Sequence, residues 1–317
     1  MSTFFILLIV GFFLVRIVSR NLDHPSDPTL DEKFPAVEPM DEPETVIPEK
    51  HEEPAPEPEQ KPEPAPVVMP AKDRLFGLVG KPLGHSSSMV RFRKFFREQH
   101  ISADYQNFEM DSVQGIRDFV AANPTLCGFN VTIPFKTDII QYLDRLDETA
   151  AAIGAVNTVK VIRTDGRTEL VGYNTDWIGF TQSVRPLAEG HSKALILGTG
   201  GAAKAVSYAL GKLGIENRFV SRNSSFDVMG YYELSPSVMD DYDMVVNCTP
   251  VGMWPDVNQR PDIPYSFLSD RHLLFDVIAN PEETQFMAKG KQYGATVKGG
   301  KEMLELQANA AWKIWNE

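Results

Sequence analysis

Residues 193–214 read KALILGTGGAAKAVSYALGKLG. An apolar run at 194–197 leads directly into a glycine-rich turn, and the turn opens into a helical pattern, a strand–turn–helix unit. The turn GTGGAA at 198–203 fits the dinucleotide fingerprint, with Ala203 in the third position, where a small residue lets helix and strand pack closely. In that context a pyrophosphate would rest on the amides at a helix N-terminus. A glycine-rich turn without a ligand is the plainer alternative.

About twenty residues further on, a chain that binds NAD offers an acidic side chain to the ribose hydroxyl. Here the strand ends in VSRN at 220–223. Ser221 and Arg222 supply a hydroxyl and a guanidinium, which suit a 2′-phosphate and leave NAD without its acceptor. The cofactor this predicts is NADP(H), against the alternative of a solvated surface arginine.

On both sides of this stretch, short apolar runs alternate with amphipathic ones, which reads as βα units. Strands are expected at 74–80, 103–110 and 126–133, helices at 89–99 and 113–122, and two short helices at 137–143 and 147–153. Residues 155–174 read as a hairpin turning at Asp165-Gly166, and a helix at 177–187 leads into the glycine-turn unit. Further strands are expected at 218–220, 244–247 and 273–277. The fold class is α/β in two domains: a substrate-binding domain at 72–176 and a Rossmann-like dinucleotide domain at 177–298. A C-terminal helix at 299–317 packs back on the first domain.

The first 71 residues have a different composition. Residues 21–71 hold 13 of the 23 prolines and 14 acidic side chains against 3 lysines, which predicts a disordered Pro/Glu-rich linker. Residues 1–20 begin with an apolar run followed by Arg16 and Arg20. A single-pass membrane anchor is expected there, with its N-terminus outside and the rest of the chain at the cytoplasmic face, against the alternatives of a cleaved signal and an interfacial or buried segment. Residues 72–317 carry 26 basic against 29 acidic side chains, so no basic stripe exists for nucleic acid. Cys127 and Cys248 have neither disulfide-framework nor zinc spacing, and no metal site is expected.

Polar groups gather in the first domain at points a core does not need them. GHSSSM at 84–89 sets three hydroxyls between a strand and a helix, where an N-cap role is the plainer reading. NVTIPFK at 130–136 places Lys136 after an apolar strand and a proline turn, where taken alone an exposed lysine is the plainer reading.

Seven ordered segments give the chain a resemblance to the shikimate dehydrogenase family over essentially all of 73–317. They are GKPLGHSSS at 80–88, GFNVTIPFK at 128–136, GAVNT at 154–158, GYNTDWIGF at 172–180, GTGGAAKAV at 198–206, NCTPVGM at 247–253 and GGKEMLELQ at 299–307. The resemblance implies that Lys136 and Asp176 form the catalytic pair, that Ser86 and Ser88 hold a substrate carboxylate, and that Thr132, Asn157 and Gln307 contact ring hydroxyls. It further implies that Gly198, Gly200, Gly201 and Ala202 cradle the pyrophosphate, with Arg222 at the 2′-phosphate. Thr249 and Met253 would line the nicotinamide pocket, and Gly300 would approach the nicotinamide through its backbone. The implied reaction is reversible NADPH-dependent reduction of 3-dehydroshikimate on the route to chorismate and the aromatic amino acids. Charge developing on the ketone oxygen needs a cation or proton donor, which Lys136 provides.

Three positions depart from the family. Met89 stands where a proline is usual, Lys301 replaces an apolar residue, and Ala279 occupies the place of a tyrosine whose hydroxyl helps bind the substrate carboxylate. Two other functions remain compatible with these residues: a quinate/shikimate dehydrogenase, and a membrane-tethered, catalytically weakened binding or scaffold protein.

Overall fold

The computed structural model describes residues 74–84 and 86–317. The anchor expected at 1–20 and the linker expected at 21–71 lie outside the described residues. Among the described residues, no helix is long and apolar enough to cross a membrane.

The chain runs through β1 (Arg74–Gly80), α1 (Ser88–Glu98), β2 (Ala103–Glu109), α2 (Ile116–Ala122), β3 (Leu126–Val131), the two-residue β4 (Arg145–Leu146) and α3 (Glu148–Ile153). It continues through β5 (Thr158–Thr164) and β6 (Arg167–Tyr173) into α4 (Asp176–Val184). These six strands form one sheet in the order β2-β1-β3-β5-β6-β4. β1 is parallel to both β2 and β3, whereas β5 runs antiparallel to β3 and to β6. The β5–β6 turn is tight because Asp165 and Gly166 both take positive φ, 48° and 78°, as the Asp-Gly pair foretold.

A second sheet follows, built from β7 (Lys193–Leu197), α5 (Gly201–Lys212), β8 (Glu216–Ser221), β9 (Val228–Gly230), α6 (Pro236–Asp241), β10 (Met244–Asn247), β11 (Leu273–Asp276), α7 (Gln285–Gln292) and β12 (Thr296–Lys298). Its order is β12-β11-β10-β7-β8-β9 and every pairing is parallel. The order reverses between β7 and β10, and ligands of open α/β sheets bind at such a switch point, outside the strands' carboxyl ends.

Each sheet is covered on both faces. Leu195, Val245 and Leu274 face one side of the second sheet, and Ile196, Val246 and Phe275 face the other. The final helix, α8 (Lys301–Asn316), spans both bodies: Met303 packs in the second core, and Ala308, Ala311 and Trp315 pack against the first sheet. The Trp315 indole donates to the carbonyl of Val159 at 3.0 Å.

Candidate active site

Lys136 follows β3 and the Ile133-Pro134 turn, and its backbone carbonyl accepts from Val156 N at 2.7 Å. Asp176 is the first residue of α4, where the helix N-terminus favours a carboxylate. The two meet at 2.7 Å between Lys136 Nζ and Asp176 Oδ2, with side-chain exposures of 16% and 8%. The other carboxylate oxygen accepts from Asn157 Nδ2 at 2.8 Å. Asn157 is itself fixed, because its Oδ1 accepts from Thr175 N at 2.7 Å. Gln307, on α8, brings Oε1 to 3.4 Å from Asn157 Nδ2 and 3.2 Å from Thr175 Oγ1. The result is a buried network with one ammonium at its rim.

Asn130 and Tyr105 extend this network beneath the sheet. Asn130 donates to Thr158 Oγ1 at 3.0 Å and accepts from Tyr105 OH at 2.9 Å. Burial pushes the Tyr105 phenol well above its ordinary value, so it stays a donor.

The three hydroxyl residues expected at the substrate carboxylate and ring sit around the same lobe. Ser86 is half-buried ahead of α1 and its Oγ accepts from Ser88 N at 3.3 Å, while Ser87 occupies the N-cap position without a side-chain cap. Thr132 follows β3, its N–H bonded to Val79 O at 2.9 Å. Among the described residues, Ser86, Ser88 and Thr132 make no direct hydrogen bond to the Lys136–Asp176 network.

The glycine turn faces this network from the second sheet. Gly198 takes φ 103°, a conformation that glycine alone adopts readily, and its N–H bonds Val220 O at 2.8 Å. That bond sets the turn beside the end of β8, where Ser221 is half-buried and Arg222 exposed. Ser221 Oγ accepts from Asn223 N at 3.2 Å. The Arg222 charge also reaches Tyr231, whose phenol is raised by burial against that guanidinium. A Cβ at Gly200 would meet open space, whereas one at Gly201 would lie 2.7 Å from Lys136 Cβ. Gly201 and Ala202 begin α5, a twelve-residue helix whose first amides point out of the turn. Thr249 lies across from the turn, its methyl 3.3 Å from the Cβ position of Gly198. Met253 is 39% exposed on the same loop, and Gly300 is buried against the backbone of Val277 and Ile278.

Three groups not singled out in the sequence lie behind this wall. Asn247 and Asp276 end β10 and β11 with no solvent exposure, and the Thr284 hydroxyl donates to Asp276 at 2.6 Å. Burial raises the Asp276 carboxyl from 3.8 to about 6 against the hydrogen bonds from Thr284, Ile278 and Asn247. Burial and the nearby carboxylates of Asp276 and Asp176 push the Cys248 thiol well above its ordinary value. Polar residues closing buried parallel strands were the available signal for Asn247 and Asp276.

A Rossmann-ordered sheet with a fingerprint turn, set against a lysine–carboxylate pair on a separate sheet, defines a two-lobed nucleotide-dependent oxidoreductase. The shikimate dehydrogenase substrate binding domain matches residues 78–159. The NADP(+) shikimate dehydrogenase of Methanococcus vannielii is 35% identical over 270 residues, covering 78% of this chain and 93% of that protein. A crystal structure of shikimate dehydrogenase from Aquifex aeolicus superimposes with a TM-score of 0.69 at 35% identity, covering 78% of this chain and 94% of the other. Shikimate 5-dehydrogenase from Thermus thermophilus, in complex with NADP(H) and shikimate, superimposes at 0.67 with 26% identity, covering 76% and 93%. The chain belongs to the shikimate dehydrogenase family.

Proposed function

We propose that this protein catalyses the reversible reduction of 3-dehydroshikimate to shikimate by NADPH, on the route to chorismate. The observation that carries the reading is the Lys136–Asp176 pair, 2.7 Å apart, lying against the first residue of the dinucleotide helix. The glycine turn fits the cofactor: Gly198 has a positive φ, Gly200 leaves open space above its Cα, and the first amides of α5 are unpaired within the helix. Gly198, Gly200, Gly201 and Ala202 would hold the pyrophosphate, Ser221 and Arg222 the 2′-phosphate, and Thr249, Met253 and Gly300 the nicotinamide. Bound NADPH supplies the hydride.

Lys136 Nζ holds a proton at the ketone oxygen, where negative charge develops. Asp176, fixed by Asn157, aims the ammonium through a charge-assisted hydrogen bond. Asn157, Gln307 and Thr132 would receive the ring hydroxyls, and Ser86 and Ser88 the carboxylate. Ala279 leaves that carboxylate one hydroxyl short, and a hydrogen bond to a charged group contributes about 1.5 to 3 kcal/mol. Ala279→Tyr is therefore expected to lower the KM for 3-dehydroshikimate about tenfold or more with kcat little changed. An unchanged KM would remove the carboxylate from that position.

The direct test follows NADPH oxidation by the full chain with 3-dehydroshikimate, then NADP+ reduction with shikimate and with quinate. Turnover with the shikimate pair supports the reading. NADPH binding without turnover of either substrate would overturn it in favour of a tethered binding protein. Residues 1–20 are assigned as a single-pass anchor on the apolar run and the trailing arginines. Recovery of the full chain from cells in the carbonate-soluble fraction would remove that anchor.

A further inference from the structure

Side chains alternate along a strand, so Ala103, Tyr105, Asn107 and Glu109 share one face of β2. That face buries Ala103 and Tyr105 and then turns polar, with Asn107 half-buried and Glu109 exposed. Both polar side chains reach one residue, Leu83, in the connection between β1 and α1. Leu83 N donates to Glu109 Oε1 at 2.5 Å, and Leu83 O accepts from Asn107 Nδ2 at 3.3 Å. We propose that Glu109, together with Asn107, is a positioning residue that acts through Leu83 on the serines receiving the substrate carboxylate. The proposal rests on the placement of Ser86 and Ser88 given under Proposed function.

Leu83 is the point at which this connection is pinned. Its side chain is 2% exposed, in a core cluster with Leu78, Phe92 and Tyr105. A Cβ at Gly80 would lie 3.0 Å from Leu83 Cδ2 and 2.4 Å from Thr132 Cγ2, so Leu83 and Thr132 both press on the end of β1. Burial of a side chain anchors the Cα but leaves the flanking peptide planes free to turn. The bonds from β2 fix both planes, one on each side of the Leu83 Cα. Nothing further along does so by packing, since Gly84 follows and a Cβ there would meet open space.

The orientation of Leu83 passes on to the serines. Its carbonyl also accepts from Ser86 N at 2.9 Å, closing a turn, and Ser86 Oγ accepts from Ser88 N at 3.3 Å. Two hydrogen bonds thus separate the β2 clamp from both hydroxyl residues. Asn107 is an expensive choice for packing alone, because its Oδ1 is buried without a hydrogen-bond partner among the described residues. Asn107 and Glu109 make no hydrogen bond to Lys136, Asp176, Asn157 or Gln307 among the described residues. The clamp therefore governs the hold on the substrate and leaves the Lys136–Asp176 pair alone.

The test measures shikimate affinity of the full chain by calorimetry with saturating NADPH, a pairing of two reduced ligands in which no turnover occurs. Glu109→Leu is expected to weaken shikimate by at least about fivefold, and Glu109→Gln, which keeps an acceptor for Leu83 N, by less than about twofold. In a Ser86→Ala background, which cuts the path from Leu83 to the hydroxyls, Glu109→Leu is expected to change the affinity less than about twofold. Asn107→Leu is read in the same two backgrounds if Glu109→Leu does not fold. Equal weakening in both backgrounds, a matching loss of NADPH affinity, a glutamine variant as weak as the leucine one, or no weakening at all overturns the positioning role. A wild-type chain that binds shikimate but does not oxidise it with NADP+ would overturn the functional reading and leave this comparison intact. A wild-type chain that binds no shikimate would overturn both.

Discussion

Lys136 carries its charge in a place where little water reaches it, and Asp176 opposite is more enclosed still. Removing the ammonium would leave the carboxylate with Asn157 as its remaining partner and, in the reaction proposed above, the ketone oxygen without a proton donor. Lys136→Ala is expected to lower kcat by a factor of about 10² to 10⁴, the range for a positioned acid–base group, with the fold retained in the far-UV spectrum. Lys136→Arg should not restore it, because a planar guanidinium cannot replace a compact ammonium against one carboxylate oxygen. A kcat within threefold of wild type in the alanine variant would take Lys136 out of the chemistry. Asp276 gives a prediction of a different kind. Its carboxyl is raised by burial to about 6 in the fold, against 3.8 ordinarily, so between those values the folded state binds more protons than the unfolded chain. Its contribution to stability therefore falls as pH rises from about 4 to about 6 and is level above, a change of about 3 kcal/mol. Asp104, Asp144 and Glu302, held below their ordinary values by partners, act in the opposite sense over acidic pH. Comparison with Asp276→Asn isolates the one group: the variant should gain Tm on wild type as pH rises from about 4 to about 7. A Tm difference that stays constant over that range would contradict it.

Elements differ from residues in how plainly their pattern announces them. The unit β7–α5 was legible because an apolar run, a glycine turn and a helical period occur in immediate succession, and each favours the same backbone. The hairpin β5–β6 was legible for the same reason, through Asp165-Gly166. The helix expected at 113–122 starts only at Ile116, since Gly115 takes the N-cap position and Val113 is buried ahead of it. The strand expected at 126–133 stops at Val131, before Pro134, which has no N–H to give a ladder. β4, β9 and β12 span only two or three residues, too few for a period to show, and they pair because neighbouring strands present free edges. Lys136 and Asp176 were legible only through the family resemblance that NVTIPFK and GYNTDWIGF carry, since by its own pattern Lys136 reads as an exposed lysine. Asn247 and Asp276 carry only the weak signal of a polar residue closing an apolar strand, which looks alike whether it faces water or a buried partner. Tight approach between elements is equally silent in sequence. A Cβ at Gly128 on β3 would lie 2.3 Å from Trp315 Nε1 and 2.9 Å from Val159 O. Trp315 is 4% exposed and bonded to that same carbonyl, so it has nowhere to go. Gly128→Ala should cost about 1 to 3 kcal/mol, or several degrees in Tm, as α8 is levered off the sheet. A melt indistinguishable from wild type would mean that α8 is not held there.

The proposed reaction site draws on two sheets that share no strand, so its geometry depends on what ties the sheets together. Helices α4 and α8 supply much of that tie: Gly179 on α4 lies so close to α8 that a Cβ would stand 2.5 Å from Met303 O, and α8 then continues into the first core. A smaller cluster of Ile153, Ala155 and Ala205 packs α3 against α5. Within this frame the first residue of α5 touches Lys136 itself, since a Cβ at Gly201 would fall 2.7 Å from Lys136 Cβ and 3.4 Å from Ala155 Cβ. The glycine allows close approach of one sheet's helix to the other sheet's lysine and, under the proposed function, would also allow close approach of backbone to a pyrophosphate. Gly201→Ala separates them. If its effect passes through Lys136, kcat falls about tenfold or more, and the double variant Gly201→Ala/Lys136→Ala is no slower than Lys136→Ala alone, because the two changes disable one group. If the effect passes only through the pyrophosphate, the KM for NADPH rises, kcat at saturation is kept, and the two substitutions add. Steady-state kinetics of the four proteins decides between these outcomes. Additivity would show that the lobes position Lys136 independently of the dinucleotide helix.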